Sequence, residues 1–434
     1  MSKSILNFKS ERRRQKITLL LILVSYLPFL FLSSLPGPES SEIVFYLARQ
    51  AGYAAAVLLL WQYILGNRAV SGLWLKDQIW ALSIHKKLGI YGIALILAHP
   101  LLIAYDYSDF SLLYTPDITT EFGRHVVLGR LALFTFLFVW VTSAILRSKI
   151  GYRPWRYIHF LTYPIMVAVF LHAPEIGTFY AGSDIIPILW TGMIVVFALV
   201  VMIRIMHFLT YGQKNFILTH KKEIAEDVYL YTLKPEKESI AVHPGQFIYF
   251  RKGLISEEHP FTVASYDDKG TIEVASKVLG KYTKKLSELP VGSKVFVDGP
   301  YGVFTHDVAV ETKKPVTFIA GGIGITPFLP HIINKTNDNI TLFYANRKRS
   351  NIVKEDVIKR LLGKKYISVL SEEKSKDSIK GFVTVDLLKE KLGKDFNKQD
   401  FYICGPKPMM SSLKESLLSS NVPKSRIHTE EFGY

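Results

Sequence analysis

Two hydropathy regimes divide the chain. Up to about residue 212, apolar residues run in six long stretches, roughly 17–35, 43–65, 79–105, 125–147, 157–174 and 185–209. Each approaches or exceeds the ~17 residues that span a hydrocarbon core as a helix, so the pattern predicts six membrane-crossing helices. The links between them alternate in charge. One set carries Arg12, Arg13, Arg14, Lys16, Arg68, Lys76, Arg147, Lys149, Arg153 and Arg156. The other carries Glu39, Glu42, Asp106, Asp109, Asp117, Glu121, Glu175 and Asp184. Basic links stay on the cytoplasmic side, which puts both termini and everything after residue 212 there.

After residue 212 the pattern shortens. FILTHKKEIAEDVYLYTLKP, GQFIYFRK, TIEVASKV and SKVFVDGPYG alternate between glycine and proline turns and predict a small antiparallel β-barrel over 213–309. VTFIAGGIGITPFLPHII, ITLFYANR and DFYICGPKPMMSSLKESLL follow as strand–turn–helix units. They predict a doubly wound α/β domain over 310–434. The expected fold class is therefore multi-domain: a six-helix transmembrane bundle over 1–212, an antiparallel barrel and an α/β nucleotide-binding domain.

Composition narrows the reading. The 434 residues are 49% hydrophobic and 21% charged, which is compatible only with segregation of the two kinds. The net charge of +16 lacks the basic stripe and recognised motif of a nucleic-acid binder. Much of the first half's positive charge sits at helix ends, which points to the lipid bilayer as partner. The single cysteine, Cys404, excludes an internal disulfide framework, a CxxCH-attached haem and a cluster needing several thiolates. The basic start, MSKSILNFKSERRRQK, runs into an apolar stretch without an evident small-residue cleavage site, so a retained first helix is expected.

Four histidines then stand out. His85 and His99 are fourteen residues apart in the third stretch, and His159 and His172 thirteen apart in the fifth. Ionisable residues at membrane depth are costly and usually functional. At about 1.5 Å per residue each pair spans roughly 20 Å. The charge topology makes His85 and His159 an inner pair and His99 and His172 an outer pair, fit to hold two b-type haems. Bonding across helices is the alternative for any single histidine. His125 and His207, near helix ends without a comparable partner, read as interfacial. At about 100° per residue, thirteen residues do not return to the same helix face. The fifth helix must therefore be distorted, and Pro164, which removes a backbone hydrogen bond, is the expected cause.

In the second half, HPFT (259–262) is expected at the end of a barrel strand. GGIGITP (321–327) lies between strand and helix, where small residues let a pyrophosphate approach a helix N-terminus. YICGPKPMM (402–410) is a second strand-end turn, a common ligand position.

In this order the motifs resemble a known architecture. The second half is similar to the ferredoxin–NADP reductase type of flavoprotein, the first to the ferric-reductase transmembrane domain, and together they resemble the NADPH oxidase family in its short bacterial form. The resemblance implies a di-haem transmembrane domain, an FAD domain and an NAD(P)H domain. It implies FAD contacts from His259, Pro260, Phe261 and Thr262, then Lys277, Gly280 and Thr283. It implies dinucleotide contacts from Gly321, Gly322, Gly324, Thr326 and Pro327, and from Cys404, Gly405 and Pro406 near the nicotinamide. Arg347 is placed to read the adenosine ribose. Lys348 and Arg349 add charge suited to a 2′-phosphate, so NADPH is expected with NADH as the alternative. Tyr434 matches the terminal aromatic that covers the flavin ring. Arg49 resembles an arginine placed near the outer haem; a snorkelling interfacial role is its alternative.

The implied function is electron transfer from cytosolic NADPH through FAD and two haems to oxygen on the far face, yielding superoxide. No obligatory protein partner is evident. The alternatives are a ferric-chelate reductase with the same path and a haem-free anchor for a flavin reductase.

Overall fold

The computed structural model describes the chain apart from residues 1–5, 33–38, 177–183, 254–255, 311–312, 335, 337–338 and 432–434. Contacts divide it into a membrane unit, Glu11–Met206, and a second unit that holds His207–Tyr434.

The membrane unit is helical. α1 (Leu6–Val24) and α2 (Leu27–Leu32) make the first span, α3 (Ser40–Gly66) the second, and the short α4 (Arg68–Ser71) leads to α5 (Gln78–Asp106). α6 (Glu121–Trp140) runs into one π-turn at Val141–Ile145; α7 (Tyr152–Phe160), α8 (Thr162–His172) and α9 (Ile185–Phe208) follow. Among the described residues, five spans are long and apolar enough to cross a bilayer. The fifth predicted stretch, 157–174, is instead two helices separated at Leu161. Pro164 is the third residue of α8, where its missing N–H needs no intrahelical partner. The chain therefore stops and restarts one turn before the proline. This is the required distortion of the fifth helix, displaced slightly toward the N-terminus.

α3 is the most enclosed span, with half of its apolar window buried. Lipid offers little hydrophobic drive for helix association, so close backbone approach matters more. Ala48, Ala51, Ala55 and Ala56 of α3 are buried, and the core adds Phe136, Met166, Phe170, Trp190 and Phe197. Aliphatic side chains such as Leu20, Leu23, Ile188 and Val195 are exposed, as on a lipid-facing surface.

The second unit begins with a closed antiparallel barrel ordered β1-β2-β5-β4-β3-β6. Its strands are β1 (Lys214–Ala225), β2 (Val228–Pro235), β3 (Phe247–Arg251), β4 (His259–Tyr266), β5 (Ile272–Lys277) and β6 (Lys294–Tyr301), with α10 (Lys281–Ser287) between the last two. HPFT opens β4 instead of ending a strand.

After α11 (His306–Val310) comes a parallel sheet ordered β10-β9-β8-β7-β11-β12. It comprises β7 (Val316–Gly321), β8 (Ile340–Asn346), β9 (Tyr366–Leu370), β10 (Ile379–Lys380), β11 (Asp400–Cys404) and β12 (Ile427–Glu430). Between the strands run α12 (Leu329–Ile333), α13 (Glu355–Leu362), α14 (Val385–Leu392) and α15 (Lys407–Ser419). β7, β8 and β11 are apolar along almost their whole length and buried, the signature of a parallel sheet covered on both faces.

Candidate functional site

Three of the four intramembrane histidines share one local arrangement. Nδ1 of His85 lies 3.0 Å from the Gln62 carbonyl oxygen. Nδ1 of His99 lies 2.9 Å from that of Ala48, and Nδ1 of His172 lies 2.7 Å from that of His125. Nδ1 of His159 instead faces the Ser143 hydroxyl at 3.3 Å. A carbonyl can only accept, so in three cases Nδ1 carries the proton and Nε2 keeps its lone pair for a metal.

A glycine makes each carbonyl contact possible. A Cβ on Gly66 would come within 2.9 Å of His85 Nδ1, and one on Gly52 within 3.0 Å of His99 Nδ1. On Gly129 it would lie 2.4 Å from His172 Cε1. Each accepting carbonyl is four residues before its glycine (62 and 66, 48 and 52, 125 and 129). An α-helix directs that carbonyl at the glycine's own N–H, and without a Cβ an imidazole can approach it from the side.

The inner pair fits an iron. The rings of His85 and His159 have centroids 6.1 Å apart at 72°. With metal–imidazole bonds of about 2 Å, as for zinc, and ~1 Å from ring centre to nitrogen, two axial imidazoles stand about 6 Å apart. His159 also stacks on Trp155, centroids 5.0 Å apart at 27°. Trp155 donates its indole N–H to Ser143 Oγ at 3.1 Å, and the Arg147 guanidinium lies 4.5 Å above the Trp155 ring.

At the outer pair, His125 and His172 clasp each other's helix. His125 Nδ1 meets the Leu171 carbonyl at 2.9 Å while the His125 carbonyl takes His172. His125 thus supports His172 and is not only an interfacial residue. Arg49 is half-buried, directly follows Ala48, and has its guanidinium 5.8 Å from the Tyr46 ring. It therefore sits at the level of His99.

In the second unit the predicted turns converge. β7 and β11 are paired in parallel, with Cys404 opposite Ala320. Strand order reverses between them, so GGIGITP and CGP meet at a switch point, where such sheets bind nucleotides. The approach is backbone to backbone. A Cβ on Gly324 would lie 2.3 Å from the Cys404 carbonyl oxygen, and one on Gly405 2.9 Å from Gly321 Cα. Gly322 has φ +54, a conformation that favours glycine. Thr326 is buried and its hydroxyl donates to the Ile323 carbonyl at 3.1 Å; Pro327 follows it. Pro406 caps α15.

Cys404 is fully buried. Burial, and then the nearby Glu430 carboxylate, push its thiol pKa well above the usual range. The thiol stays protonated, so it contributes shape and not acid–base chemistry. Arg347, at the end of β8, is exposed and 3.6 Å from Glu372, and Lys348 beside it is also exposed. Arg349 is committed to Glu355 at 3.0 Å.

On the barrel, the His259 ring stacks on Tyr282 with centroids 3.7 Å apart. Burial lowers the His259 pKa, and Glu257 at 3.6 Å opposes this. Pro260 and Phe261 continue β4, and Thr262 is buried opposite Phe247. Lys277 ends β5 opposite Val228. Gly280 caps α10, and the Thr283 hydroxyl accepts the Leu279 and Gly280 amides at 2.9 and 3.1 Å. Thr283 therefore shapes this turn. Tyr434 lies outside the described residues.

Several buried polar contacts have weak sequence signals. Arg251 is buried, pairs with Glu258 at 3.3 Å and donates to the carbonyls of His207 and Phe208 at the end of α9. His207 Nε2 meets Asp298 at 3.1 Å, so it has a charged partner that spacing did not reveal. His331, fully buried, bridges the Thr336 and Thr305 hydroxyls at 2.6 and 2.8 Å, and Thr305 donates to the barrel at Pro244. Ser143 could have been suspected from the fourteen-residue step from Gly129, equal to that from Gly52 to Gly66.

Comparison with known proteins matches each of the three regions to a family. Residues 51–170 match the family described as ferric reductase like transmembrane component. Residues 215–306 match the oxidoreductase FAD-binding domain, and residues 318–415 the oxidoreductase NAD-binding domain. An uncharacterized protein in the adh 3′ region of Clostridium beijerinckii is 29% identical over 203 residues, 44% of this chain and 67% of that protein. A flavohemoprotein of Rhodopirellula baltica is 29% identical over 256 residues, 51% of this chain and 61% of its own length. The flavohem-like FAD/NAD binding domain of a nitric oxide dioxygenase from Vibrio cholerae O1 biovar El Tor is 22% identical at a TM-score of 0.45. It covers 52% of this chain and 100% of that one. The three family matches together show a ferric reductase-like transmembrane domain fused to FAD-binding and NAD-binding oxidoreductase domains, the arrangement of the NADPH oxidase and ferric reductase family.

Proposed function

We propose that the protein passes electrons from cytosolic NADPH, through FAD and two b-type haems, to oxygen on the opposite side of the membrane, forming superoxide. The observation that carries this reading is the double histidine arrangement: four imidazoles with Nδ1 hydrogen-bonded, three of them to backbone carbonyls that leave Nε2 for iron. When bound, the flavin supplies the conversion from hydride to single electrons, and the haems carry single electrons.

The chain's own residues bind, orient and screen. The 321–327 and 404–406 turns present backbone amides and small residues to the dinucleotide. The exposed Arg347 and Lys348 suit a 2′-phosphate. The β4 opening, His259 to Thr262, supports the flavin, with a neutral His259 stacked on Tyr282; Lys277 and the Gly280–Thr283 turn suit its phosphates, and Tyr434 its ring. His85 with His159, and His99 with His172, hold the two irons. Arg49, level with His99, is a cation suited to stabilise negative charge developing on a reduced acceptor. Basic links on one side support both termini and the nucleotide domains being cytoplasmic.

The test is a reduced-minus-oxidised spectrum of the purified protein, followed by NADPH-driven cytochrome c reduction with and without superoxide dismutase. A b-type signal and dismutase-sensitive reduction are expected. A protein with flavin and no haem would refute the reading.

A second reading, reduction of a ferric ion or chelate, is supported by one further feature. Among the described residues, Glu121, His125 and Glu175 offer donor atoms within 4.8 Å of one another, and His125 supports the outer ligand His172. Dismutase-insensitive reduction together with ferric reduction weakened by Glu121→Gln would favour it.

A further inference from the structure

The four histidine seats are not equivalent. Three imidazoles donate Nδ1–H to a backbone carbonyl beside a glycine. Where the same fourteen-residue step from Gly129 would bring another glycine, the chain has Ser143. It lies within the π-turn at Val141–Ile145, a local widening often found at functional sites. Its hydroxyl oxygen lies 3.3 Å from His159 Nδ1 and accepts the Trp155 indole N–H at 3.1 Å. Trp155 also stacks on the His159 ring.

We infer that Ser143 and Trp155 are positioning residues that tune the inner haem separately from the outer one. The inference rests on the di-haem reading above. Once His159 Nε2 is committed to iron, Nδ1 carries the proton and Ser143 Oγ accepts it. A hydroxyl has two acceptor lone pairs, and here one serves indole and the other imidazole. The contact to His159 is also the longest of the four, 3.3 Å against 2.7–3.0 Å for the three carbonyls, so this imidazole is held less strongly than the others. The partner of a ligating histidine's second nitrogen sets the basicity of the ligand, and a more basic imidazole favours the oxidised iron. His159 is accordingly the weakest donor of the four, and its weakness depends on two replaceable side chains.

The two side chains predict shifts of opposite sign. Ser143→Ala deletes the acceptor, so His159 donates less and the potential of one haem moves positive. Trp155→Phe keeps a stacked ring but removes the competing N–H, so Ser143 accepts His159 more fully and the same haem moves negative. Ser143→Thr keeps a hydroxyl and returns the potential toward wild type. The experiment is spectroscopic redox titration of the full-length protein in detergent, resolving both haems in all four forms. Opposite shifts in one haem, with the other unmoved, are expected. Unchanged potentials in both variants, or equal shifts in both haems, would overturn the inference. If Ser143→Ala fails to assemble, Trp155→Phe alone decides: a negative shift in one haem supports the inference, and no shift or a positive one overturns it. A wild-type protein without b-type haem would instead overturn the function on which the inference rests.

Discussion

Gly129→Ala is a one-methyl test of how the outer histidine is held. The added Cβ would lie 2.4, 2.6 and 2.8 Å from Cε1, Nδ1 and Nε2 of His172. Carbon atoms rest at about 3.5–4.0 Å, so the ring must retreat by roughly 1 Å. That retreat breaks the 2.7 Å bond to the His125 carbonyl. Overpacking of this kind costs about 1–3 kcal/mol, against about 1 kcal/mol regained from the helix propensity of alanine over glycine. The fold should therefore survive. Losing the partner of a ligating histidine lowers metal affinity about 10–100-fold, in addition to the displaced ring. The expected protein keeps its flavin and one haem, reduces flavin normally with NADPH and no longer passes electrons to the outer acceptor. Gly192→Ala is the control: nothing lies within 4 Å of the Cβ it would add to α9, and both haems should remain. Haem content per flavin, measured on protein purified in detergent, is the assay. If Gly129→Ala retains both haems with an unaltered spectrum, the glycine is not a seat for His172.

Three further outcomes are expected. Burial holds the His331 pKa down to about 3 against an ordinary 6.5; the unfolded chain gains this proton below pH 6.5 and the folded chain does not. Stability is thus complete above pH 6.5 and falls by about 2 kcal/mol by pH 5; thermal release of flavin fluorescence should show this slope, and His331→Gln should flatten it while lowering stability at pH 7. Native protein should resist alkylation at Cys404 at pH 8, since the thiol is buried and kept protonated; rapid labelling without unfolding would contradict that placement. Arg347→Gln with Lys348→Gln should raise KM for NADPH roughly tenfold, about 1.4 kcal/mol, and leave that for NADH unchanged; equal effects on both would remove the 2′-phosphate role.

Hydropathy made the membrane spans readable, because a bilayer imposes one length on every span, and histidine spacing made the pairing of His85 with His159 readable. Barrel and parallel sheet were readable from strand periods and glycine turns, yet HPFT was placed at the wrong end of its strand. Its proline and flanking acids, Glu257 and Glu258, look like a turn, while the Phe261 and Val263 that continue β4 are buried in the barrel core. The seats of the histidines were less visible. An acceptor carbonyl has no residue code, so Gln62, Ala48 and His125 could not be picked out as partners. Only their companions carry a trace, in the shared fourteen-residue steps of Gly52 to Gly66 and Gly129 to Ser143.

The fifth helix shows how far spacing alone could go. Thirteen residues between His159 and His172 rule out one regular helix, and the chain satisfies this with a break at Leu161. α7 and α8 are then free to turn their histidines independently, which a single helix could not do. That freedom lets His159 meet a side chain, Ser143, while His172 meets a backbone carbonyl. The irregular spacing and the one non-carbonyl seat occur in the same helical segment. We therefore read them as a single structural solution, in which breaking the helix allows the inner ligand a support that substitution can alter.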